Sequence, residues 1–533
     1  MPLPAALTPF AFRAFAWLWL ANFVSGIGRW LQDTAAAWMM TEMSGSPLMV
    51  SLVQAAAQAP VVLLAVPAGA LADIVDRRHY LVLTNSWMLA VSAVLAVLAI
   101  LGLVGPWTLL ALTALLACGA GMNNPAWSAA VPLTVPRAEL SQALVMNSIG
   151  FNLARAAGPA LGGVVVVAAG AGIAFAANAA SFAVVAVIVG LLISLPCVAS
   201  LGGAPPERVA GAMRAGLSYA AAEPVVRRTL VRSAEYYGFA SAIWALLPLY
   251  VSQTLGLGAS AYGVLLGLIG VGAMLGGLAM PHLRARVPRD ALITSAGLVT
   301  GLALLPPVLL PAFWSAAAGM VLYGVGWILG ASNLQTTVQL ASAPWVRART
   351  LSIYQAVFNG GMGLGAVGWG WLGEHAGVPG TLLASALGSV VAAVLGRMSS
   401  LPAEVPDPSL PALGLHPNLA ISDAISPLLE QAAHPVLVSI TWRIALEDAG
   451  AFRAAMDEVA LARRRDGATR WLLSRDIEQP EYWVEAFRLP DWHETLRAVA
   501  RMNLVDAEAI AAARKFHRGE RPPELRVLIA ERT

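Results

Sequence analysis

The chain has 533 residues, is 58% hydrophobic and 12% charged, and has a mean hydropathy of +0.70. That composition excludes a soluble globular or disordered chain and points to a polytopic membrane protein. Residues 1–400 hold 17 Arg and 10 acidic residues, whereas residues 401–533 hold 16 Lys and Arg and 20 acidic ones. The basic excess therefore belongs to the apolar part, which argues against nucleic-acid binding, and a charged soluble segment follows it. Cys118 and Cys197 are the only cysteines, too few for a disulfide framework.

Apolar segments of about 20 residues, broken by Pro, Gly or Arg, recur through residue 400. The first, after Phe12, lacks a small-residue cleavage site and is expected to be a retained span. Six segments cover 14–40, 47–71, 79–103, 106–130, 140–169 and 172–195, and six more cover 230–254, 260–282, 290–311, 312–339, 348–374 and 378–400. Between the sixes, the link contains Pro205-Pro206 and an amphipathic stretch from Arg208 to Arg232. One set of alternating links contains Arg77, Arg78, Arg137, Arg208, Arg214, Arg284, Arg289 and Arg347, while the other set has no Arg or Lys. The positive-inside rule then puts the arginine-bearing links, both termini and the soluble tail in the cytoplasm. The sixes also resemble each other: Cys118-Gly119-Ala120-Gly121 with Asn124 and Arg137 is echoed by Tyr323-Gly324-Val325-Gly326 with Asn333 and Arg347. Duplicated halves of this kind place a substrate site at their interface.

Charges and amides inside the segments mark candidate sites. Asp33 stands four residues after Arg29, so the two share a helix face. The pair reads either as a proton-titrating carboxylate beside a cation or as a structural ion pair near the outer interface. Glu235 is the second proton-coupling candidate, although Arg232 three residues away permits an interfacial pair instead. Arg155 lies mid-segment, where a charge costs about 2.5–3.5 kcal/mol on insertion scales, so it must face a protein or water-filled interior. It either binds an anionic group or pairs with Asp33 or Glu235. Asn22, Gln54, Gln58, Asn152, Gln355 and Asn359, together with Arg29, are candidates for the polar lining of a cavity. Some of these amides, with Gln32 and Asn147, will only join helices, at about 0.6 kcal/mol each.

Two motifs carry a family resemblance. Gly69-Ala70-Leu71-Ala72-Asp73 followed by Arg77-Arg78 resembles the cytoplasmic loop motif of the major facilitator superfamily, with Ile74 and Asp76 departing from its pattern. Gly158-Pro159-Ala160-Leu161-Gly162-Gly163 resembles that superfamily's fifth-span antiporter motif, with Ala154 at one position where glycine is usual. Gly45-Ser46-Pro47-Leu48 and the run from Pro67 to Asp73 resemble the branch of enterobactin-type siderophore exporters and transmembrane secretion effectors. The resemblance implies alternating access, with Asp73, Arg77 and Arg78 forming a gate latch that exists in one access state. It also implies export.

After residue 400, Pro402, Pro406, Pro408, Pro411 and Pro417 mark an extended linker. Beyond it the patterning predicts strands over 436–444, 469–474, 482–488 and 525–530, and helices over 448–465, 491–502 and 506–516. The order β-α-β-β-α-α-β predicts a ferredoxin-like α+β domain, and it resembles small antibiotic-biosynthesis-monooxygenase-like domains. Trp442, Trp471, Trp483, Trp492 and His493 could line a pocket there, but sheet and helix packing is the simpler reading.

The expectation is thus an all-α polytopic membrane protein of twelve transmembrane helices in two six-helix bundles, residues 1–196 and 230–400. A cytoplasmic link (197–229), a Pro-rich linker (401–433) and a ferredoxin-like domain (434–533) complete it. No metal-ligand spacing, cofactor motif, catalytic set or nucleotide-binding Gly-x-x-x-x-Gly-Lys-Ser/Thr pattern occurs. The expected function is proton-driven export of a small organic molecule through the inner membrane, with pairing through the tail. Siderophore export, proton symport, and a membrane-tethered sensor or small monooxygenase are the alternatives.

Overall fold

The computed structural model describes residues 5–192, 209–402 and 434–530. The chain forms two compact units, one of residues 1–204, 231–334 and 354–401, the other of residues 205–230, 335–353 and 402–533. The helices are α1 (Arg13–Ser44), α2 (Pro47–Ile74), α3 (Arg77–Ile100), α4 (Pro106–Ala130), α5 (Leu140–Ala169), α6 (Ala171–Val187) and α7 (Val209–Ala222). There follow α8 (Pro224–Leu249), α9 (Ala259–Arg286), α10 (Arg289–Ala303), α11 (Leu305–Leu309), α12 (Phe313–Ala341) and α13 (Arg347–Leu395). Local chemistry sets the boundaries. Ser46 caps α2 by accepting from the Met49 amide, with Pro47 in the first turn, and Asp76 caps α3 by accepting from the His79 amide at 2.9 Å.

Nine stretches among the described residues are long and apolar enough to cross a membrane. The last of them, Arg347–Ser399, holds two helices broken at Gly377, whose φ of 70° only glycine adopts readily. Neither α1 nor α8 is among the nine. α1 carries four tryptophans besides Arg29 and Asp33, and α8 carries Arg227, Arg228, Arg232 and Glu235, which lower their mean hydropathy.

In the first unit α2 packs on α4, α3 on α6, and α1 on both α5 and α6. Phe15, Leu18, Tyr80, Leu81, Ala126 and Val185 form one buried cluster. Buried amides tie the helices together. The Gln32 Oε1 accepts from Ser92 Oγ at 2.7 Å and from Asn178 Nδ2 at 2.5 Å, so one side chain of α1 is held by α3 and α6. Between α8 and α10, buried Arg232 is paired with Asp290 and donates to Thr294 Oγ1 at 2.9 Å.

The second unit holds α7 and the soluble tail. Its strands are β1 (Val436–Arg443), β2 (Thr469–Arg475), β3 (Tyr482–Leu489) and β4 (Glu524–Ile529), with helices α14 (Ala449–Arg465), α15 (Trp492–Arg501) and α16 (Leu504–Arg514). Every expected tail element is present with its ends within two residues. The sheet order is β2-β3-β1-β4 and all neighbours are antiparallel. Trp442, Phe452, Met456, Val459 and Trp483 fill the core between sheet and helix, so Trp442 and Trp483 are packing residues. Arg465, at the end of α14, bridges Glu223 just beyond α7 and Asp506 of α16, each at 2.7 Å. The Arg501 guanidinium lies 4.0 Å from the ring centre of Trp345, in the connection between α12 and α13. The Tyr219 hydroxyl of α7 donates to the Ala341 carbonyl at 2.9 Å.

Candidate functional site

α5 is the helix on which the two halves of the first unit meet, because its small residues face two neighbours. A Cβ added to Gly158 would lie 2.5 Å from Trp30 Cβ, and one added to Gly162 would lie 3.2 Å from Leu31 Cα, so both face α1. Gly163 faces α9 instead: a Cβ there would lie 2.6 Å from the Ala259 carbonyl oxygen and 3.1 Å from Gly263 Cα. The α9 side is built the same way. A Cβ on Gly263 would meet the Pro159 carbonyl at 2.5 Å, and one on Gly270 would meet Ala156 Cα at 2.6 Å and the Arg155 carbonyl at 3.0 Å. Only small residues let two backbones approach this closely. α5 runs as one helix through Pro159.

Beyond Gly270 the two helices part. Gly277, two turns further along α9 on the side that faces α5, has nothing within 4 Å of a Cβ position. At the opposite end the halves are joined by hydrogen bonds. Gln253 Nε2 donates to the Gly45 carbonyl at 2.8 Å, and Glu374 Oε1 accepts from Ser46 Oγ and from the Leu48 amide at 3.2 Å. The closed end coincides with links that carry no Arg or Lys.

Arg155 sits at the fork. With Asn152 it occupies the face of α5 between the one turned to α1 and the one turned to α9. The residue is only 9% exposed. Its Nη2 donates to Asn152 Oδ1 at 3.0 Å, its guanidinium is 5.9 Å from the Phe151 ring centre, and its Nε has no hydrogen-bond partner. No carboxylate among the described residues pairs with it, so neither Asp33 nor Glu235 is its counter-ion. Asp33 and Arg29 are instead close enough to interact with each other, and Asp33 also with Tyr262 of α9. The Asp33 side chain is exposed and that of Arg29 half-buried.

Beside the fork lies an aromatic cluster that the sequence did not single out. Trp30 of α1 is 6.2 Å, centre to centre, from Trp244 of α8, and Trp244 is 5.2 Å from Trp327 of α12. Phe358 of α13 is 6.3 Å from Trp327 and 4.6 Å from Tyr237, whose hydroxyl is 2.7 Å from that of Tyr354. The cluster draws on both halves, and Trp30 reaches α5 at Gly158.

The family described as transmembrane secretion effector matches residues 4–533, essentially the whole chain. The chain belongs to that family. Among curated proteins it is 29% identical over 210 residues to an uncharacterised MFS-type transporter, YfiS, of Bacillus subtilis, covering 38% of this chain and 48% of that one. It is 25% identical over 146 residues to the staphyloferrin A transporter of Staphylococcus aureus, covering 27% and 37% respectively. The matched region thus spans less than half the length of either relative. Its fold is that of a bacterial homologue of the human lysosomal transporter Spinster in an inward-facing, unoccupied conformation, with TM-score 0.58 and 15% identity over 75% of this chain and 98% of that chain. A POT family transporter in complex with 5-aminolevulinic acid gives TM-score 0.60 at 11% identity, covering 73% and 96%. This transmembrane secretion effector is a multi-pass membrane protein of the major facilitator type.

The remaining expected residues of the transporter fall in several places. Asn22 donates to Asn147 Oδ1 at 3.0 Å, joining α1 to α5. Gln54 and Gln58 are half-buried on α2, where Gln58 Cβ lies 3.4 Å from a Cβ position on Gly363 of α13. Asn359 is buried and donates to the Gln355 carbonyl at 2.6 Å, while the Gln355 side chain is exposed. Glu235 is exposed and lines a shallow groove with Arg232, Phe239, Ile293 and Ser389, between α8, α10 and the second part of α13. Of the gate motif, Gly69 and the Asp73 side chain lie outside the described residues. Arg78 donates to the Gly190 carbonyl within the first half, and Arg77 opens α3.

Proposed function

We propose that this transporter exports a small organic molecule from the cytoplasm by alternating access, driven by proton antiport. In this reading twelve spans form two six-helix bundles, residues 1–196 and 230–400. They are the nine apolar stretches, with the last counted as two helices, plus α1 and α8. The arginine-bearing links, both termini and the tail face the cytoplasm, and the membrane is the inner membrane.

One observation carries the proposal: the halves are joined at the arginine-free end and part from Gly270 onward, with Arg155 at the fork. This supports the reading of a carrier open at its arginine-bearing end, in which a two-state contact surface alternates around a central site. Asp33 is the preferred proton-coupling group, since it is an accessible carboxylate within a span beside Arg29. Glu235 is retained as a second candidate. Asp73, Arg77 and Arg78 act as the cytoplasmic latch that would close in the other state.

Siderophore export is a second reading, favoured by the resemblance of residues 45–48 and 67–73 to that branch. The tail, with strand order β2-β3-β1-β4, supports a ferredoxin-like, monooxygenase-like domain used for pairing or regulation rather than catalysis. The test is efflux driven by an imposed pH gradient, measured with the full chain in inverted vesicles. Asp33→Asn is expected to leave downhill flux but abolish its dependence on the gradient, and unchanged pH dependence would remove Asp33 from the coupling step. Loss of all flux on truncation after Leu401, with the spans still inserted, would instead favour a function centred on the tail.

A further inference from the structure

The buried charge at the fork has no internal answer. Arg29 has the Asp33 carboxylate beside it, whereas no carboxylate among the described residues stands beside Arg155. Arg155 has an Nε without a hydrogen-bond partner, and a single amide oxygen accepts from its Nη2. A guanidinium offers a planar fork of donors suited to a carboxylate or other oxyanion. Leaving it unpaired away from water is strongly unfavourable, so an anion entering the fork gains much of its affinity by completing this set.

The second observation concerns what stands beside it. Gly158 is one turn from Arg155, and its lack of a side chain is what admits Trp30 against α5. Trp30, Trp244 and Phe358 are only partly buried, and with Trp327 they form a continuous aromatic wall contributed by α1, α8, α12 and α13. These rings do not stack on Arg155, whose nearest ring is Phe151. Trp327 is buried behind the other three, and the part-exposed rings of Trp30, Trp244 and Phe358 present surface to a flat apolar guest, for which aromatic stacking gives geometric preference.

Resting on the transport reading above, we propose that the substrate is a small organic anion with an aromatic or conjugated body. Its anionic group sits on Arg155 and Asn152, and its ring lies against Trp30, Trp244 and Phe358, which Trp327 backs. A neutral or cationic aromatic compound would leave Arg155 unpaired, and an aliphatic anion would leave the wall uncovered.

The experiment compares 1-naphthoate, 1-naphthamide, 1-naphthylmethylammonium and cyclohexanecarboxylate binding to the purified full chain, read by calorimetry and by flux in proteoliposomes. We expect 1-naphthoate to bind at least about tenfold more tightly than the amide or the ammonium, as a charge-assisted pair requires. Arg155→Gln is expected to erase the acid-over-amide ratio, while Arg155→Lys keeps part of it. Trp244→Leu is expected to weaken acid and amide alike by about 2- to 12-fold, leaving their ratio unchanged. Equal affinity for acid and amide, no binding of any probe, or an acid preference that survives Arg155→Gln in a monodisperse protein would overturn the inference. Amide or ammonium flux independent of Arg155 would sink it while sustaining the transport reading. Arg155-dependent binding of 1-naphthoate without flux of any probe would do the reverse.

Discussion

Gly163→Ala tests the claim that the α5–α9 contact belongs to only one of two access states. The added Cβ would lie 2.6 Å from the Ala259 carbonyl oxygen and 3.1 Å from Gly263 Cα, both backbone atoms that no rotamer change can move aside. Overpacking of this kind costs about 1–3 kcal/mol. If the contact opens in the other state, that cost falls on the closed state alone and shifts the equilibrium about 5- to 150-fold. The assay places a reporter thiol at Ser51, fully buried near Gly370 at the closed end, in a background with Cys118 and Cys197 replaced by Ser. Its maleimide labelling should accelerate by up to that factor in Gly163→Ala. The matched control is Gly277→Ala on α9, where a Cβ meets nothing within 4 Å and labelling should not change. A Gly163→Ala protein that elutes as a native monodisperse peak and labels at the control rate refutes the two-state reading of this interface.

Glu374→Gln acts on the same end from its polar side. It weakens the hydrogen bonds from Ser46 and the Leu48 amide to an exposed carboxylate, so labelling of Ser51→Cys should rise by less than in Gly163→Ala, and high salt should raise labelling where Glu374 is present but not in Glu374→Gln. In the tail, Asp466 is buried next to Asp506, and burial first, then the neighbouring carboxylate, raises its pKa well above the usual value despite Arg463, Arg465 and Arg501. The folded state therefore binds this proton more tightly than the unfolded state, so the stabilisation is complete below the unfolded carboxylate value of about 3.9 and is lost as pH rises through the raised folded value. Thermal unfolding of the full-length chain at pH 5 and pH 8 should show Asp466→Asn gaining stability over the wild type at pH 8 more than at pH 5; an equal difference at both would contradict the assignment.

Much of the scaffold is legible in the sequence because membrane crossing imposes a length and a polarity on each segment. The segments 106–130 and 140–169 coincide with α4 and α5, and the tail strands follow from alternation and turn residues. Residues whose role depends on a distant partner are not legible in that way. Gly158, Gly162 and Gly163 are readable as close-contact positions, yet nothing local says that the first two meet α1 and the third meets α9. Trp30, Trp244, Trp327 and Phe358 each read as an ordinary apolar residue of its own span, and only the packing of four helices makes them a wall. Arg465 reads as one of three arginines ending α14, and its bridge to Glu223 joins residues 242 apart in the chain. Glu235 and Arg232 were adjacent enough to suggest a pair, but Asp290, contributed by α10, takes Arg232.

What the fold adds to α5 is the combination of its two roles on one rod. Arg155 and Gly163 are eight residues apart in an unbroken helix, about 12 Å along its axis. The glycine fixes how close α5 lies to α9, and the arginine carbonyl touches Gly270 at the point where that closeness ends. A tilt of α5 that opens the Gly163 contact must therefore alter the surroundings of the guanidinium, because a packed helix moves as a body rather than bending smoothly. An anion held by Arg155 and the state of the glycine interface are consequently linked through the same element, and a change in affinity at one site must appear as a change in equilibrium at the other.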